Sequence, residues 1–497
     1  MAGIFKGLKP FQLTEYIFLI LFAAFVPISW RMSTYAMIGL AVSCILKGIF
    51  EDGFKINQLQ YKNKIIYFLF IAFWVLYAIS FLYSNDTVEA RIQIGKKLTF
   101  FLFPLFFLCS NLSYLTKDRV RIIMYCFVSG ILIFYAIHFL WAIYDISFND
   151  VKNTRITSYH EFFKSSNIFE KPHRAHFSMF TCFGLAFCFA EFFTQKSVKV
   201  KIFNFIALII LAFSPFYVMS RAGILCLGLI FFLLWIWLMF FKKDIKLGIT
   251  TGICIVTILI TGYFAFPKSI DRFTDAVDNV KEGKGDIRLT IRKGCRYAMK
   301  GNFFFGVGAG DRNYETLDAY RRYREDVISM IQPSIEADMT LFEQNRKKLL
   351  DSIDIKYENK YSKDVYEYAE SISDDLDCDY NSVKENLSEY QIIDHLIKTD
   401  CNAHNQFTDT RIAVGILGFI LLLSFFFTPI YLWIKKKKFD IVLFSLLFII
   451  AFNSLFESVL ERQMGIMFFV FFYFLFFHVN FCQGEQSVIS STNDKNE

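Results

Sequence analysis

The chain has 497 residues, of which 55% are hydrophobic and 63 are phenylalanine, and its formal net charge is +7. A soluble core has no room for so many long apolar runs, whereas each membrane span needs about 20 such residues. The composition therefore excludes a soluble globular protein. The positive charge gives no support for nucleic-acid binding, because it is mostly concentrated in short connections between the apolar runs.

Apolar runs recur along the chain and predict an all-α, polytopic membrane protein, because backbone groups in lipid must pair within a helix. Lys6 and Lys9 precede the first run, as is typical of an uncleaved signal-anchor. We predict about twelve spans, at residues 12–29, 33–50, 65–84, 98–113, 121–144, 175–193, 202–219, 222–241, 247–266, 410–433, 440–456 and 463–480.

The placement of Lys and Arg predicts the orientation of these spans. One set of connections is short and basic, and we place it in the cytoplasm together with both termini. The other set lies outside and comprises 85–97, 145–174, Ser220-Arg221, 267–409 and 457–462. In the first of these, Arg91, Lys96 and Lys97 run against the rule.

The same pattern divides the chain into four predicted regions. They are an N-terminal membrane domain at 1–266, a large periplasmic loop at 267–409, C-terminal spans at 410–480 and a disordered cytoplasmic tail at 481–497. Apolar residues at helical spacing predict amphipathic helices within the loop. Cys378 and Cys401 share this loop, where an oxidising periplasm would allow them to pair; the alternative is two free thiols.

Polar groups from five chain segments fall on the outer side of this topology. They are Arg174 with His173 and His176, Ser220-Arg221, Arg288 with Arg292 and Arg296, His404, and Glu457 with Glu461 and Arg462. Polar groups near membrane depth are costly and mark a functional site. If the spans pack around one centre, the five segments converge on one cavity. The plainer alternatives are an Arg that snorkels to the headgroups and an incidental surface histidine.

Arg288, Arg292 and Arg296 recur every four residues and therefore share one helical face. Like charges at this spacing cost about 0.2–0.5 kcal/mol per pair, which an anionic partner would remove. A pyrophosphate, a lipid headgroup or loop carboxylates would all serve. Arg221 lies in a connection too short for a free loop and is a candidate cation for a phosphate.

Gly306, Gly308 and Gly310 alternate with other residues just before the polar part of the loop. Glycine permits backbone conformations closed to other residues and the close approach of a ligand. The segment is not a P-loop, because no Gly-Lys-Ser/Thr follows, and no βαβ unit surrounds it to make a dinucleotide fingerprint.

Taken in order, these residues resemble the signature of the O-antigen ligase family of bacterial glycan-joining membrane enzymes. The resemblance rests on the Ser220-Arg221-Ala222-Gly223 turn, the Arg288–Arg296 stretch, Gly306-Val307-Gly308-Ala309-Gly310, and His404-Asn405 followed after nine residues by Gly415-x-x-Gly418. It covers about residues 80–470. Phe303 stands where the family often has Pro, and 312–400 has the character of an insertion.

The resemblance implies a metal-independent, inverting glycosyltransferase without cofactors, at the outer face of the bacterial inner membrane. Its donor is a glycan on undecaprenyl pyrophosphate. The acceptor is a sugar hydroxyl on the lipid A core for a ligase, or another lipid-linked repeat for a polymerase. A protein O-oligosaccharyltransferase and a transporter are the less favoured alternatives. The implied partners are these glycans and membrane lipids, and they include no nucleic acid.

Within this resemblance His404 is the general base, because a neutral imidazole accepts a proton from an attacking hydroxyl near neutral pH. Arginine stays charged and binds phosphate oxygens as a bidentate fork, which suits the leaving pyrophosphate. The pyrophosphate is assigned to Arg221, Arg288, Arg292 and Arg174, and supporting roles to Asn405, Ser220, Gly306, Gly308, Gly310 and Glu457. Asn405 would orient His404, and Glu457 would hold an arginine or the acceptor. No metal ligand is assigned.

Overall fold

The computed structural model describes residues 7–52, 61–110, 112–148, 173–218, 220–242, 245–266, 287–300, 302–335, 389–390, 392–399 and 403–481. Every regular element within these ranges is helical. Nine of the described helices are long and apolar enough to cross a bilayer. The chain is therefore an all-α, multi-pass membrane protein.

Fifteen α-helices carry the described fold. They are α1 (Pro10–Phe25), α2 (Trp30–Lys47), α3 (Tyr61–Ser80), α4 (Thr87–Lys97), α5 (Thr99–Cys109), α6 (Lys117–Phe148), α7 (Arg174–Thr194), α8 (Val198–Tyr217), α9 (Arg221–Lys242), α10 (Ile245–Ala265), α11 (Ile287–Ala298), α12 (Arg312–Ile335), α13 (Gln406–Lys436), α14 (Ile441–Ser454) and α15 (Gln463–Phe481). A π-helical turn, Gly48–Asp52, follows α2, and a 3-10 turn, Val459–Glu461, precedes α15. Residues 392–398 are also helical.

Nine of the twelve predicted spans coincide with described helices that have the length and composition of a membrane span. The other three coincide with shorter apolar helices. These are α1, the part of α3 at Lys64–Ser80, and α14. The count of twelve therefore stays a prediction. Cys378, Cys401, the loop between 336 and 388 and the tail beyond residue 481 lie outside the described residues.

The chain divides into two compact units. Unit 1 comprises Met1–Ala78, Ile92–Arg272 and Ile420–Glu497, and unit 2 comprises Ile79–Arg91 and Phe273–Phe419. Unit 2 thus combines most of the predicted external loop with the segment after α3 and with the first turns of α13.

Helix α15 lies at the centre of unit 1, because nearly all of its side chains are buried. A helix that is hydrophobic all round is stable only when other helices or lipid surround it. Its aromatic rings pack against rings of neighbouring helices; the centroid of Phe70 on α3 is 4.8 Å from that of Tyr473 and 3.8 Å from that of Phe425 on α13. By contrast, the buried residues of α10 are only Gly248 and Gly262, so this helix is peripheral.

The segment predicted as a loop at 85–97 is helical from Thr87, and its last residue, Lys97, is fully buried. The Lys97 Nζ donates to Glu461 Oε2 at 2.9 Å and to Gln93 Oε1 at 3.2 Å, and it lies 4.4 Å from the centroid of the Tyr77 ring. The loop prediction was wrong for residues 87–97. One of the charges that ran against the positive-inside rule is therefore an internal ion-pair partner rather than a loop charge.

A second buried ion pair joins the first two helices of unit 1. The Nζ of Lys47 on α2 donates to Oε2 of Glu15 on α1 at 3.1 Å, and both side chains are buried. The hydroxyls of Ser110 and Tyr114 also donate to the Glu15 carboxylate, at 3.2 and 3.1 Å. These added hydrogen bonds offset part of the desolvation that burial of a charge costs.

We expect Lys97→Met to destabilise the protein by about 3–5 kcal/mol, because it leaves the Glu461 carboxylate buried without its charge partner. The midpoint of unfolding by denaturant in detergent measures the loss. Lys96→Met, at the neighbouring half-buried position, is the matched control and should change the midpoint little. The double variant Lys97→Met/Glu461→Met should regain most of the stability. If Lys97→Met is as stable as the wild type, the ion pair between Lys97 and Glu461 does not stabilise the protein.

Candidate functional site

His404 lies immediately before the N-terminal cap of α13, in a left-handed backbone conformation with φ of 43°. Few residues other than glycine adopt this region, although histidine does so more often than most. The side chain of Asn405 caps the helix, since its Oδ1 accepts from the Thr408 amide at 3.0 Å, and its carbonyl accepts from the Asp409 amide at 2.9 Å. The Asn405 side-chain oxygen thus fixes the backbone that carries His404, whereas a direct orienting contact between the two side chains stays a prediction.

Helix α13 is broken at Val414 and Gly415, where the backbone leaves helical geometry; Gly415 has φ of 67° and ψ of −163°. The glycine-rich segment 302–308 supplies hydrogen bonds at the break. The amides of Val307 and Gly308 donate to the carbonyls of Ile412 and Ala413 at 2.8 and 2.9 Å, and the Ile416 amide donates to the Phe303 carbonyl at 2.8 Å. We call this pairing of 302–308 with 412–416 the glycine clasp.

The glycine clasp requires glycine at two facing positions. A Cβ on Gly415 would lie 2.2 Å from the Phe304 carbonyl oxygen, and one on Gly306 would lie 2.5 Å from the Ala413 carbonyl carbon. Both residues also have positive φ, which only glycine adopts without strain. The close approach that we predicted for a ligand is thus made, at Gly306, by the backbone of the protein itself.

The other side of the glycine-rich segment binds the turn after α3. The amides of Ala309 and Gly310 donate to the hydroxyls of Ser80 and Ser84, at 3.1 and 3.2 Å. A Cβ on Gly308 would lie 2.3 Å from the Ser84 hydroxyl oxygen. The segment is therefore held on both sides, by the turn after α3 and by the break in α13.

Asp311 ends the glycine-rich segment and completes the contact with the turn after α3. Its two carboxylate oxygens accept from the amides of Asn85 and Asp86, at 2.7 and 2.8 Å. Asp86 in turn caps α4, since its Oδ1 accepts from the Val88 and Glu89 amides. We had not predicted a role for Asp311, although its place directly after the glycines was a usable signal.

A buried ion pair links the start of α12 to the first turns of α13. The Nε of Arg312 lies 3.7 Å from Oδ1 of Asp409, and both side chains are almost wholly buried. In the same turns of α13, the side-chain Nε2 of Gln406 donates to the Thr410 hydroxyl at 3.0 Å. These polar groups hold the helix that follows His404. No sequence pattern predicts the ion pair, because Arg312 and Asp409 are nearly a hundred residues apart.

Arg288, Arg292 and Arg296 are all exposed along one side of α11, which confirms that they share a helical face. The opposite side of α11 enters the core of unit 2, where Ile291 and Cys295 pack with residues of α12 and of 392–396. The arginine stripe is therefore presented by a helix whose orientation is set by apolar packing.

Two tyrosines engage the acidic side chains beside α11. The hydrogen bond to Asp326 raises the pKa of Tyr297 to about 12, and burial together with the Glu389 hydrogen bond raises the pKa of Tyr323 above its usual range. Both tyrosines therefore stay neutral donors at neutral pH. The Glu389 carboxylate also accepts from Lys293 Nζ at 2.8 Å. The carboxylates of Asp326 and Glu389 thus accept hydrogen bonds from side chains of unit 2.

Three of the five predicted polar segments come together in unit 1. The His176 Nε2 lies 3.1 Å from the Val459 carbonyl oxygen, in the turn between Glu457 and Glu461. Ser220 caps α9 by accepting from the Gly223 amide at 3.1 Å.

Close packing joins α9 to α7. A Cβ on Gly223 would lie 2.5 Å from the Ser178 hydroxyl oxygen, so the first turns of the two helices touch. Arg174 and Arg221 are the first residues of α7 and α9 and thus share this end of unit 1. The other two predicted segments, with His404 and the arginine stripe, belong to unit 2.

No protein-family model matches the chain, and no curated protein matches it. The resemblance to the O-antigen ligase family therefore rests on the residues themselves. Within the described ranges, no group of three or more His, Cys, Asp or Glu side chains is placed to hold a metal ion.

We expect Gly415→Ala to destabilise unit 2 by more than about 1–3 kcal/mol, which is the cost of the strained backbone conformation alone. The alanine Cβ would in addition overlap the Phe304 carbonyl oxygen. Hydrogen exchange of the amides at 302–308 and 412–416 should report faster opening of the glycine clasp. Gly228→Ala is the control, since a Cβ there meets nothing within 4 Å. Unchanged exchange in Gly415→Ala would show that the clasp does not depend on glycine at this position.

Proposed function

We propose that the protein is a lipid-linked glycan transferase of the bacterial inner membrane, with its active site on the periplasmic side and both termini in the cytoplasm. One observation carries the proposal. Motifs that the resemblance takes from distant parts of the sequence, Gly306–Gly310 and His404 with Gly415, belong to one interlocked structure in unit 2. A random assortment of weak motifs has no reason to interlock in this way.

In the proposed reaction, a sugar hydroxyl of the acceptor attacks the anomeric carbon of the donor glycan. The new glycosidic bond forms as the bond from that carbon to the pyrophosphate oxygen breaks, with inversion. His404 accepts the hydroxyl proton, and undecaprenyl pyrophosphate leaves with the electron pair. The capped N-terminus of α13 carries the positive end of a helix dipole, which favours negative charge developing nearby.

Arginine is suited to the leaving pyrophosphate, because it stays charged and presents a planar fork of donors. We assign Arg288 and Arg292 on α11, together with Arg221 and Arg174, to this role. The exposure of the stripe supports the assignment, since a stripe buried against its own unit could not reach a substrate. Glu457 and Ser220 support the arginines of unit 1.

A ligase that caps the lipid A core is the first choice, and a polymerase that joins lipid-linked repeats is the close alternative. The same donor and the same site chemistry serve both. Gel analysis of lipopolysaccharide from a deletion strain separates them. Loss of all capped core supports the ligase, whereas core with a single repeat supports the polymerase.

We expect His404→Gln to lower glycan transfer by about 10²–10⁴-fold, the usual contribution of a general base. Purified protein, a lipid-pyrophosphate glycan and an acceptor in detergent provide the assay. The matched control is His395→Gln, an exposed histidine of the same unit, which should keep full activity. If His404→Gln transfers glycan at the wild-type rate, His404 is not the base.

We expect Arg288→Gln and Arg292→Gln each to lower transfer by about 10²–10³-fold, the loss typical when one donor to a developing charge is removed. Arg321→Gln, an exposed arginine on α12, is the control. Transfer should persist in EDTA, because the proposed leaving-group cations are side chains. Abolition of transfer by EDTA would contradict the arginine assignment.

A further inference from the structure

Three consecutive phenylalanines of unit 2 are exposed although their backbone is held firmly. Phe303, Phe304 and Phe305 are 46%, 63% and 58% exposed. Their carbonyls are occupied by the protein: that of Phe303 accepts from the Ile416 amide, that of Phe304 lies against Gly415, and that of Phe305 accepts from the Tyr83 hydroxyl at 2.7 Å. The rings are thus presented to the surroundings by a rigid turn, which we call the phenylalanine platform.

Arg411 lies beside this platform, and among the residues that the structure describes it has no acidic partner. Its guanidinium carbon is 5.4 Å from the centroid of the Phe303 ring, a cation–π distance. Its Nε is shielded from solvent and has no hydrogen-bond partner, and the side chain forms no ion pair with any described residue. A shielded, unpaired donor on a cation is costly, so an anion at this position would stabilise it.

The position of Arg411 along α13 places it near a membrane surface. After the break at Gly415, α13 runs from Ile416 to Lys435 in its basic last turn, which is about 29 Å at 1.5 Å per residue. The hydrocarbon core of a bilayer is about 30 Å thick and the headgroup regions extend it to about 40–45 Å. Arg411 is the last charged residue before this apolar stretch, so we expect it near a headgroup region.

Two further apolar side chains are exposed in the segment that is hydrogen-bonded to the platform. Leu82 is 81% exposed and Tyr83 is 38% exposed, and Tyr83 is hydrogen-bonded to the platform. Aromatic faces alone would suit a sugar ring equally well. Exposed apolar side chains beside a cation that has no acidic partner among the described residues instead match a molecule with hydrocarbon chains and one negative headgroup.

We propose that Arg411 and the phenylalanine platform bind an anionic phospholipid. The phosphate lies at the Arg411 guanidinium, and the acyl chains lie against Phe303, Phe304 and Leu82. This proposal does not depend on the proposed glycan transfer. A phospholipid bound there would fix the depth of the glycine clasp in the membrane, because the platform is part of that clasp.

Photocrosslinking in nanodiscs tests the proposal. The full-length protein carries p-benzoylphenylalanine in place of Phe304, in equal amounts of phosphatidylglycerol and phosphatidylcholine, and mass spectrometry counts the adducts. We expect phosphatidylglycerol adducts to exceed phosphatidylcholine adducts about fivefold, the effect of one basic side chain near an anionic surface. Arg411→Gln should bring the ratio to about one, and Arg411→Lys should retain part of the preference.

Tyr314 on α12 provides the matched control, since it is an exposed aromatic residue of the same unit and is 67% exposed. The photoreactive residue at that position should give few adducts with either lipid. Equal adducts of the two lipids at position 304, or a preference that survives Arg411→Gln, would overturn the proposal. So would displacement of the phosphatidylglycerol adducts by a polyprenyl pyrophosphate glycan, which would make the glycan donor the occupant. If the wild-type protein transfers no glycan but the adducts at position 304 still favour phosphatidylglycerol, only the proposed function is contradicted.

Discussion

Unit 2 depends on the backbone hydrogen bonds that join segment 302–308 to the break in α13. A helix interrupted at Val414 and Gly415 leaves amides and carbonyls without intrahelical partners, and buried backbone groups must be paired. Segment 302–308 supplies those partners with the correct spacing. These backbone hydrogen bonds hold the start of α13, which carries His404, and the turn that presents the phenylalanines.

Backbone and side chains have different roles in unit 2. Glycines and the Asn405 cap shape the backbone, whereas His404 and the exposed arginines of α11 carry the groups that can titrate or bind an anion. A loop held by side chains alone would adjust when one of them changed. A loop held by paired backbones cannot shift to accommodate a substitution. A single added methyl group at Gly306 or Gly415 overlaps the backbone of the opposite segment of the clasp.

The helical fold could be predicted from the sequence because apolar runs of membrane length report directly on the local environment of each helix. The shared face of Arg288, Arg292 and Arg296 followed from spacing alone. The glycine clasp could not be predicted, since backbone hydrogen bonds between segments a hundred residues apart leave no side-chain signal beyond glycine itself. Lys97 was predicted in a loop for a related reason. A buried lysine needs a charge partner, and the sequence does not indicate that Glu461 is that partner.

The ion pair between Lys97 and Glu461 also has a consequence for the assembly of the protein. The two residues are 364 positions apart, whereas Glu15 and Lys47 are separated by only 32. At a synthesis rate of about 5–20 residues per second, Lys97 leaves the ribosome about 20–70 seconds before Glu461 exists. The charge of Lys97 must spend that interval outside its final environment, so the helix that carries it can take its buried place only after the last helices have been made.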